Sequence, residues 1–367
     1  MDLLPPPGLD RTRAGARRGA RRIGAAVLLL GATGSLGAAI RAAAPRWLPG
    51  RALRAASRRG GPDAARVDVR DPGSLRAALR GVALVLDAVG PYDYDPTPLV
   101  AACVAAGVHW VDLADRPAFL RGAEAAGAGS PGAAVATGAS AAPGLVEALG
   151  RALAERAAPA PLASWFSVGS RKAVSSALLF ALVRPLGRAL PEAPGAVSPG
   201  PVLAREVRGR PFWFGRHPWP RGAEGARCGA QRIPIAHHVG MDRRIQARAL
   251  KALAPFGGRL PERAVWAACR LTRPLAPGIA RLGGAAGVLR VEAFDADGRV
   301  RDAIEVRAAS GLELAALPPL WAAHALLAGR APRPGPLRFD ELVAPDALAA
   351  RMAQAGWDVA GLRDGPG

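Results

Sequence analysis

The fold is decided by the stretch Ala26–Gly37, which reads AVLLLGATGSLG. Its first five residues form a continuous apolar run, typical of a parallel strand that is buried on both faces. Gly31, Gly34 and Gly37 then follow at intervals of three. In such a strand–turn–helix, the first glycine allows a tight turn, the second lets the backbone approach a pyrophosphate, and the third lets the helix pack against the strand. The stretch predicts a Rossmann-type dinucleotide site; the alternative is a purely structural turn in a chain with 45 glycines.

The first half of the chain continues this pattern. Short apolar runs alternate with helix-like segments over residues 23–145, which indicates βαβ units and a parallel sheet. The first helix is expected to end before Pro45. Strands are expected at 26–30, 51–57, 66–69, 82–89, 108–113 and 133–137. We therefore predict the α/β fold class, with a Rossmann-type doubly wound parallel sheet and a second α+β domain.

A different architecture is expected after about residue 155. Leu289–Phe294 and Val300–Ala308 alternate polar and apolar residues around Asp297-Gly298, which predicts an antiparallel hairpin. The Pro-, Gly- and Arg-rich residues 191–230 are predicted to be a long loop or flap. Further strands are expected at 162–168 and 231–237, and helices at 172–190, 312–329 and 345–356. Together these segments predict an antiparallel α+β layer.

The predicted organisation has four parts. They are a flexible basic tail (1–22), a Rossmann nucleotide-binding domain (23–150), an α+β substrate or dimerisation domain (151–335) and a C-terminal helical segment (336–367). Arg17-Arg18 and Arg21-Arg22 precede an apolar stretch, as in a signal peptide. That stretch runs directly into the glycine fingerprint rather than into a cleavage site, so we expect a cytoplasmic protein.

The composition argues against two classes of partner. The net charge is +20, but all except two of the 49 basic residues are arginine, which indicates a compositional bias. No basic stretch is interleaved with aromatic residues, so nucleic acid is not an expected partner. Cys103, Cys228 and Cys269 lack the spacing of a disulfide framework or a metal site. No metal is therefore expected.

The end of the second strand indicates which dinucleotide binds. NAD enzymes place a carboxylate there to accept from the ribose hydroxyls. Here no acidic residue occurs between Asp10 and Asp63, and the expected place holds Ser57, Arg58 and Arg59. A hydroxyl and guanidinium groups suit a 2′-phosphate. We therefore predict NADP rather than NAD; the alternative is that both arginines are simply solvated.

Several motifs beyond the glycines carry a family resemblance. Val67–Val69, Val85–Tyr92, Gly107–His109 and Val111–Leu113 follow the fingerprint in order. Over residues 23–150 the chain resembles the saccharopine dehydrogenase-like family, including its bacterial oxidoreductases. The resemblance implies cofactor contacts for Gly31, Thr33, Gly34, Ser35, Leu36 and Gly37 at the pyrophosphate, Ser57 and Arg58 at the adenosine phosphate, Asp68 and Val69 at the adenine, and Ala88, Val89 and Gly90 near the nicotinamide ribose. Arg59 is expected from its position to share the phosphate with Arg58.

These observations predict an NADP-dependent oxidoreductase that transfers a hydride to or from a small molecule in a cleft between two domains. Tyr92 is the candidate catalytic acid because it follows Gly90-Pro91; the alternative is that it lines the pocket. Tyr-x-x-x-Lys, P-loop and Gly-x-Ser-x-Gly sites are absent from the sequence.

Two other functions stay open. One is a non-catalytic NADP-binding sensor on the same fold. The other is a membrane-associated lipid (enoyl) reductase, which depends on the apolar segment 174–190 with Arg184 and Arg188. That segment is expected to be a core or homodimer helix, with peripheral membrane contact as the alternative.

Overall fold

The computed structural model describes residues 26–156, 158–169, 171, 175–272, 274, 278 and 283–362. The predicted basic tail at residues 1–22 lies outside the described residues. Two large sheets organise the described chain, and a buried apolar core connects them.

The first sheet begins with β1–β6, which run in the spatial order β3-β2-β1-β4-β5-β6. All its neighbouring strands are parallel, and the order is that of a Rossmann fold. The strands are Ala26–Leu30, Ala52–Ser57, Ala64–Arg66, Val82–Asp87, His109–Asp112 and Ala134–Ala136. Helices α1–α5 are Ser35–Trp47, Pro72–Ala78, Thr97–Ala106, Pro117–Gly127 and Val146–Ala154, the last preceded by a π-helical turn at Ala141–Leu145. The predicted fold class is confirmed.

Helix α1 is longer than predicted. The expected stop before Pro45 is wrong, because α1 continues through Pro45 to Trp47. Trp47 is buried and packs edge-on against Trp321, with ring centroids 5.6 Å apart. Burial of this large aromatic side chain favours the last helical turn despite the backbone N–H that Pro45 lacks.

The rest of the chain adds β7–β18 and α6–α11. The strands are Leu162–Ser167, Ala189–Leu190, Ala193–Val197, Leu203–Val207, Arg210–Arg216, Ala226–Cys228, Gln231–Ile233, Ile235–Met241, Gly287–Phe294, Val300–Ala308, Gly335–Leu337 and Asp358–Ala360. The helices are Ser176–Val183, Arg244–Gly257, Glu262–Leu271, Gly311–Leu327, Phe339–Leu342 and Pro345–Gln354, with a 3-10 turn at Gly222–Glu224.

The second sheet has the order β10-β11-β14-β7-β15-β16-β18. The predicted hairpin is present as the antiparallel pair β15–β16. The expectation of a wholly antiparallel layer is wrong, because β14 and β7 pair in parallel at its centre. The predicted strand 231–237 is divided at Pro234 into β13 and β14, since proline cannot donate to a strand ladder.

The predicted loop at 191–230 is wrong, because it contains four strands, β9–β12. Strands β10 and β11 form a hairpin around Arg208 and Gly209, which both have positive φ. Its inner face buries Val207, Phe212 and Phe214. The abundant Pro, Gly and Arg residues hid this alternation in the sequence.

The predicted helix 172–190 is shorter in the structure. Residues 172–174 lie outside the described residues, and α6 ends at Val183, shortly before Pro185. Phe180 of α6 is buried and packs edge-on against Trp266 of α8, with ring centroids 5.3 Å apart. In the part of the chain that the structure describes, no helix is long and apolar enough to cross a bilayer.

The C-terminal part of the chain contributes to both sheets. Strand β17 pairs in parallel with β6 and becomes the outer strand of the first sheet. Strand β18 pairs with β16 in the second sheet. Helix α9 packs against α1 and also contacts β15. The domain boundaries proposed from the sequence stay a prediction.

Candidate functional site

The turn after β1 is packed tightly against the end of β4. Gly31 has a φ of +72°, and a Cβ at this position would lie 2.7 Å from the carbonyl oxygen of Ala88. A Cβ at Gly37 would overlap the carbonyl oxygen of Gly31, so Gly37 seats α1 against the turn. Gly34 precedes α1 without a side-chain cap, and the first turn of α1 carries no acidic residue. Such a helix start offers free N–H groups to a phosphate.

Ser57 and Arg58 stand at the end of β2. The Ser57 hydroxyl donates to the carbonyl oxygen of Gly60 at 3.4 Å, and Arg58 is exposed. Asp68 follows β3, and its Oδ1 accepts from the backbone N–H of Arg70 at 3.0 Å. The Asp68 carboxylate is thus engaged within its own turn, while the end of β2 presents the exposed side chains of Arg58 and Arg59 to solvent.

A cleft of about 950 Å³ is lined by residues at these strand ends and by residues of the second sheet. Most of the residues predicted to bind the cofactor line it: Gly31, Thr33, Gly34, Ser35, Leu36, Ser57, Arg58, Asp68, Val69, Ala88, Val89 and Gly90. Gly37 and Arg59, which were predicted with them, are not part of its lining. The carboxyl ends of parallel strands are where open α/β sheets bind ligands.

Tyr92 lines the cleft but is only 7% exposed. Its hydroxyl donates to the carbonyl oxygen of Asp87 at 3.1 Å, and its ring packs edge-on against Phe119 with centroids 4.9 Å apart. Burial raises the pKa of Tyr92 well above its ordinary range. The catalytic role predicted for Tyr92 stays a prediction, and these contacts favour the alternative in which Tyr92 lines the pocket.

A second tyrosine forms a buried pair with a carboxyl group. The Tyr94 hydroxyl donates to Oδ2 of Asp87 in a short hydrogen bond, and the Val89 N–H donates to Oδ1 at 3.0 Å. Burial raises the pKa of Asp87 to about 7, with a smaller contribution from the nearby Asp112 carboxylate; the two hydrogen bonds oppose this shift. Tyr94 also lines the cleft. The pair can therefore hold and release a proton near neutral pH beside the predicted nicotinamide position.

The opposite wall of the cleft is largely apolar. It is formed by side chains of β7, β14 and α6–α8, among them Phe166, Leu178, Leu182, Val239, Leu250 and Trp266. Polar residues interrupt it, among them Arg184, His217 and His237, and Asp115 faces the same cleft from the loop after β5. This wall can enclose an apolar substrate beside a few oriented polar groups.

The two histidines of this wall are uncharged at neutral pH. His237 Nδ1 lies 2.7 Å from the Ser164 hydroxyl, and His217 Nε2 lies 3.2 Å from the carbonyl oxygen of Ala181. Burial lowers the pKa of both histidines, that of His237 strongly. His237 can hydrogen-bond a substrate without adding charge to the cleft, whereas both ring nitrogens of His217 face backbone carbonyl oxygens, Nδ1 that of Pro218 at 3.4 Å and Nε2 that of Ala181.

Two other candidate polar residues, Asp112 and His109, make hydrogen bonds that stabilise the fold. Asp112 is buried and accepts from Trp110 Nε1 at 2.8 Å and from the Gly138 N–H at 2.9 Å. His109 Nδ1 accepts from the Ala134 N–H at 2.9 Å. Neither residue is free to act on a substrate. Within the described residues, no group of three or more His, Cys, Asp and Glu side chains could hold a metal.

Sequence reasoning missed Asp87, Tyr94 and His217 as site residues. Asp87 ends an otherwise apolar strand, and a carboxyl group at the carboxyl end of a buried strand is a usable signal. Tyr94 stands two residues beyond the tyrosine that was chosen. His217 follows β11, inside the segment that was predicted to be a loop, so no strand end was available to place it.

No protein-family profile matches the chain. Over 54 residues it is 43% identical to a protein of Mycobacterium tuberculosis named as a trans-acting enoyl reductase, and this match covers 15% of the chain and 13% of that protein. Over 58 residues it is 36% identical to a saccharopine dehydrogenase-like oxidoreductase of Arabidopsis thaliana, covering 16% of the chain and 13% of that protein. The matched stretch is thus a small part of either relative.

Among solved structures, apo saccharopine dehydrogenase (L-Glu forming) of Saccharomyces cerevisiae superposes with a TM-score of 0.57. The two chains are 14% identical, and the superposition covers 92% of this chain and 100% of the yeast chain. The likeness therefore extends over both sheets and is one of fold.

Proposed function

Because the chain is saccharopine dehydrogenase-like in fold and in part of its sequence, we propose that it is an NADP-dependent oxidoreductase acting on a small molecule. The observation that supports NADP is at the end of β2, where Arg58 lines the same cleft as the Gly31 turn. No carboxylate stands there to accept from a ribose 2′-hydroxyl. The glycine turn and the helix start offer a fitting place for the pyrophosphate.

When bound, NADPH supplies the hydride. The chain supplies position, exclusion of water and a proton. In reduction, Asp87 starts protonated on Oδ2 and donates to the Tyr94 oxygen, which leaves the Tyr94 hydroxyl hydrogen free to face the substrate. Tyr94 donates that proton to the substrate and takes the proton of Asp87 Oδ2 in its place. Asp87 ends the step as the carboxylate. In oxidation the same proton returns to Asp87.

The apolar wall of the cleft favours a hydrocarbon-rich substrate over a charged amino acid. Leu178 and Leu182 of α6 face the same cavity as Leu250 of α7. A lipid (enoyl) reductase is therefore the second candidate function. The rival, a non-catalytic sensor, predicts NADPH binding without turnover of any apolar carbonyl or enoyl compound.

The cofactor preference is tested by exchanging one of two adjacent arginines. Arg58→Ala should weaken NADPH binding by about ten- to a hundredfold, since it removes a charge-assisted hydrogen bond to the 2′-phosphate. NADH, which lacks that phosphate, should bind as before. The measurement is calorimetric titration of both cofactors at one ionic strength, because salt screens phosphate contacts.

Arg59→Ala is the matched control. Arg59 is also exposed but is not part of the cleft lining, so its removal should leave NADPH affinity nearly unchanged. Equal effects of the two variants would contradict the assignment. A wild-type protein that binds NADH as tightly as NADPH would contradict the preference itself.

A further inference from the structure

Helix α7 has two apolar faces, although only one of them packs against the protein. Ala247 and Gly257 are buried on the inner face. On the outer face Ile245 is 76% exposed, Leu253 48% and Phe256 64%. Together with the exposed Ala249 and Ala252, these side chains follow the spacing i, i+4, i+7, i+8, i+11 of one helical face. This is a continuous apolar stripe turned to solvent.

Cationic side chains flank that stripe. Arg244, Arg248 and Lys251 are exposed on α7, and α7 contains no acidic residue. Helix α8 lines the same cleft as α7 and adds Leu271, which is 80% exposed, and the exposed Arg270. We call the exposed faces of these two helices the α7–α8 surface. Apolar side chains beside a cationic flank are the composition of helices that lie on anionic bilayers.

The cleft opens on the α7–α8 surface. Ala249, Leu253 and Arg270 are exposed and also line the cleft, so they form its rim. Leu250 and Trp266 continue the lining inward from the same two helices. An apolar path therefore leads from the exposed stripe to the apolar wall of the cleft.

We propose that the α7–α8 surface docks on an anionic lipid bilayer and that substrate enters the cleft from the bilayer. The proposed docking is supported by the composition of the α7–α8 surface alone, whereas the proposed route of the substrate depends on the proposed function. A second copy of the chain fits this surface poorly. A twofold contact would bring Arg248 and Lys251 of both copies against one another without a neutralising acidic residue on α7.

The test is cosedimentation of the full chain with vesicles of phosphatidylglycerol and phosphatidylcholine, and with phosphatidylcholine alone. The chain should sediment with the anionic vesicles and be released by salt. Ile245→Ser together with Phe256→Ser should lower the partition coefficient by about tenfold or more, because two inserted apolar side chains are lost. Arg248→Ala with Lys251→Ala should lower it by about twentyfold.

The controls are Val300→Ser and Arg76→Ala, exposed residues outside the α7–α8 surface. They should bind vesicles like the wild type, which separates this surface from the general positive charge of the chain. NADPH titration of all variants should be unchanged, so loss of docking is distinguishable from loss of the proposed cofactor site. Absence of sedimentation with anionic vesicles, or wild-type binding by the Ile245/Phe256 variant, would overturn the proposal. The proposal would also be overturned if the wild type were a dimer and the Ile245/Phe256 variant a monomer.

Discussion

At the scale of single residues, Asp87 links the site to the stability of the fold. Its pKa is raised from an ordinary 3.8 to about 7 because it is buried. The folded protein therefore holds a proton that the unfolded chain releases. The stability from this proton is fully present below about pH 4 and is lost as the pH rises to about 7.

Asp87→Asn should remove this pH dependence. The groups facing Asp87, which are Tyr94, Tyr92, Cys103 and Asp112, remain in the variant. The free energy of unfolding of the wild type should fall relative to that of the variant by a few kcal/mol, on the order of 1.4 per pKa unit, between about pH 4 and pH 7. Urea unfolding at several pH values measures it. Parallel curves for the two proteins would show that Asp87 does not carry the proton.

The residues at strand ends were the part of the candidate site that the sequence predicted best. Gly31, Gly34 and Ser57 could be predicted as cleft residues because each comes after a strand that the sequence itself indicates. The orientation of a side-chain hydroxyl cannot be predicted from the sequence pattern in this way. Tyr92 is two residues from Gly90 along the chain and Tyr94 is four, and their hydroxyls are bonded to different atoms of Asp87. Both rings pack edge-on against Phe119, so the two tyrosines are distinguished by the hydrogen bonds of their hydroxyls, which only the folded structure shows.

At the scale of elements, a buried ion-pair cluster ties α5 to the segment before β12. Arg221 Nε lies 2.8 Å from Glu147 Oε1, and both side chains are nearly inaccessible. Arg221 also bonds Glu124 of α4 at 2.7 Å. Burial raises the pKa of Glu147, and the Arg221 charge opposes that shift. The Arg221 charge and the backbone N–H of Arg227, which donates to Glu147 at 2.9 Å, stabilise the charged form of this buried carboxyl group.

Arg221→Met should destabilise the protein by about 3–5 kcal/mol, because Glu147 would remain buried without its cation. The double variant Arg221→Met/Glu147→Leu should recover part of this loss. Arg232→Met is the control, since Arg232 is 62% exposed at its 3.1 Å pair with Glu224 and should cost about 1 kcal/mol or less. Thermal and urea denaturation give these values. A double variant less stable than Arg221→Met alone would refute the account.

Elements were predictable where one local pattern dominates. Strands β1, β4 and the β15–β16 hairpin have uninterrupted apolar runs or strict alternation, so their positions agree with the structure to within a few residues. The β10–β11 hairpin is local, but the abundant proline, glycine and arginine residues around it hide its alternation. The parallel β14–β7 pair depends on two strands that are distant in sequence. No local pattern specifies such pairing.

At the scale of the whole molecule, the two sheets share one apolar core. Leu28 of β1 and Val291 of β15 belong to the same buried cluster, which α9 also enters through Trp321. We therefore expect one cooperative unfolding transition. Hydrogen exchange at Leu29 and Val291 should show the same dependence on urea concentration. Two separate dependences would mean that the sheets unfold independently.

The pairing of β17 with β6 has a consequence for how the protein is made. Ribosomes deliver β6, which ends at Ala136, long before they deliver Gly335. Throughout that interval one side of β6 presents backbone N–H and C=O groups without their final partner. Such an uncovered strand edge is a template for association with other chains. The nascent protein is thus exposed to association through this edge during the whole synthesis of residues 137–334, until β17 closes the first sheet.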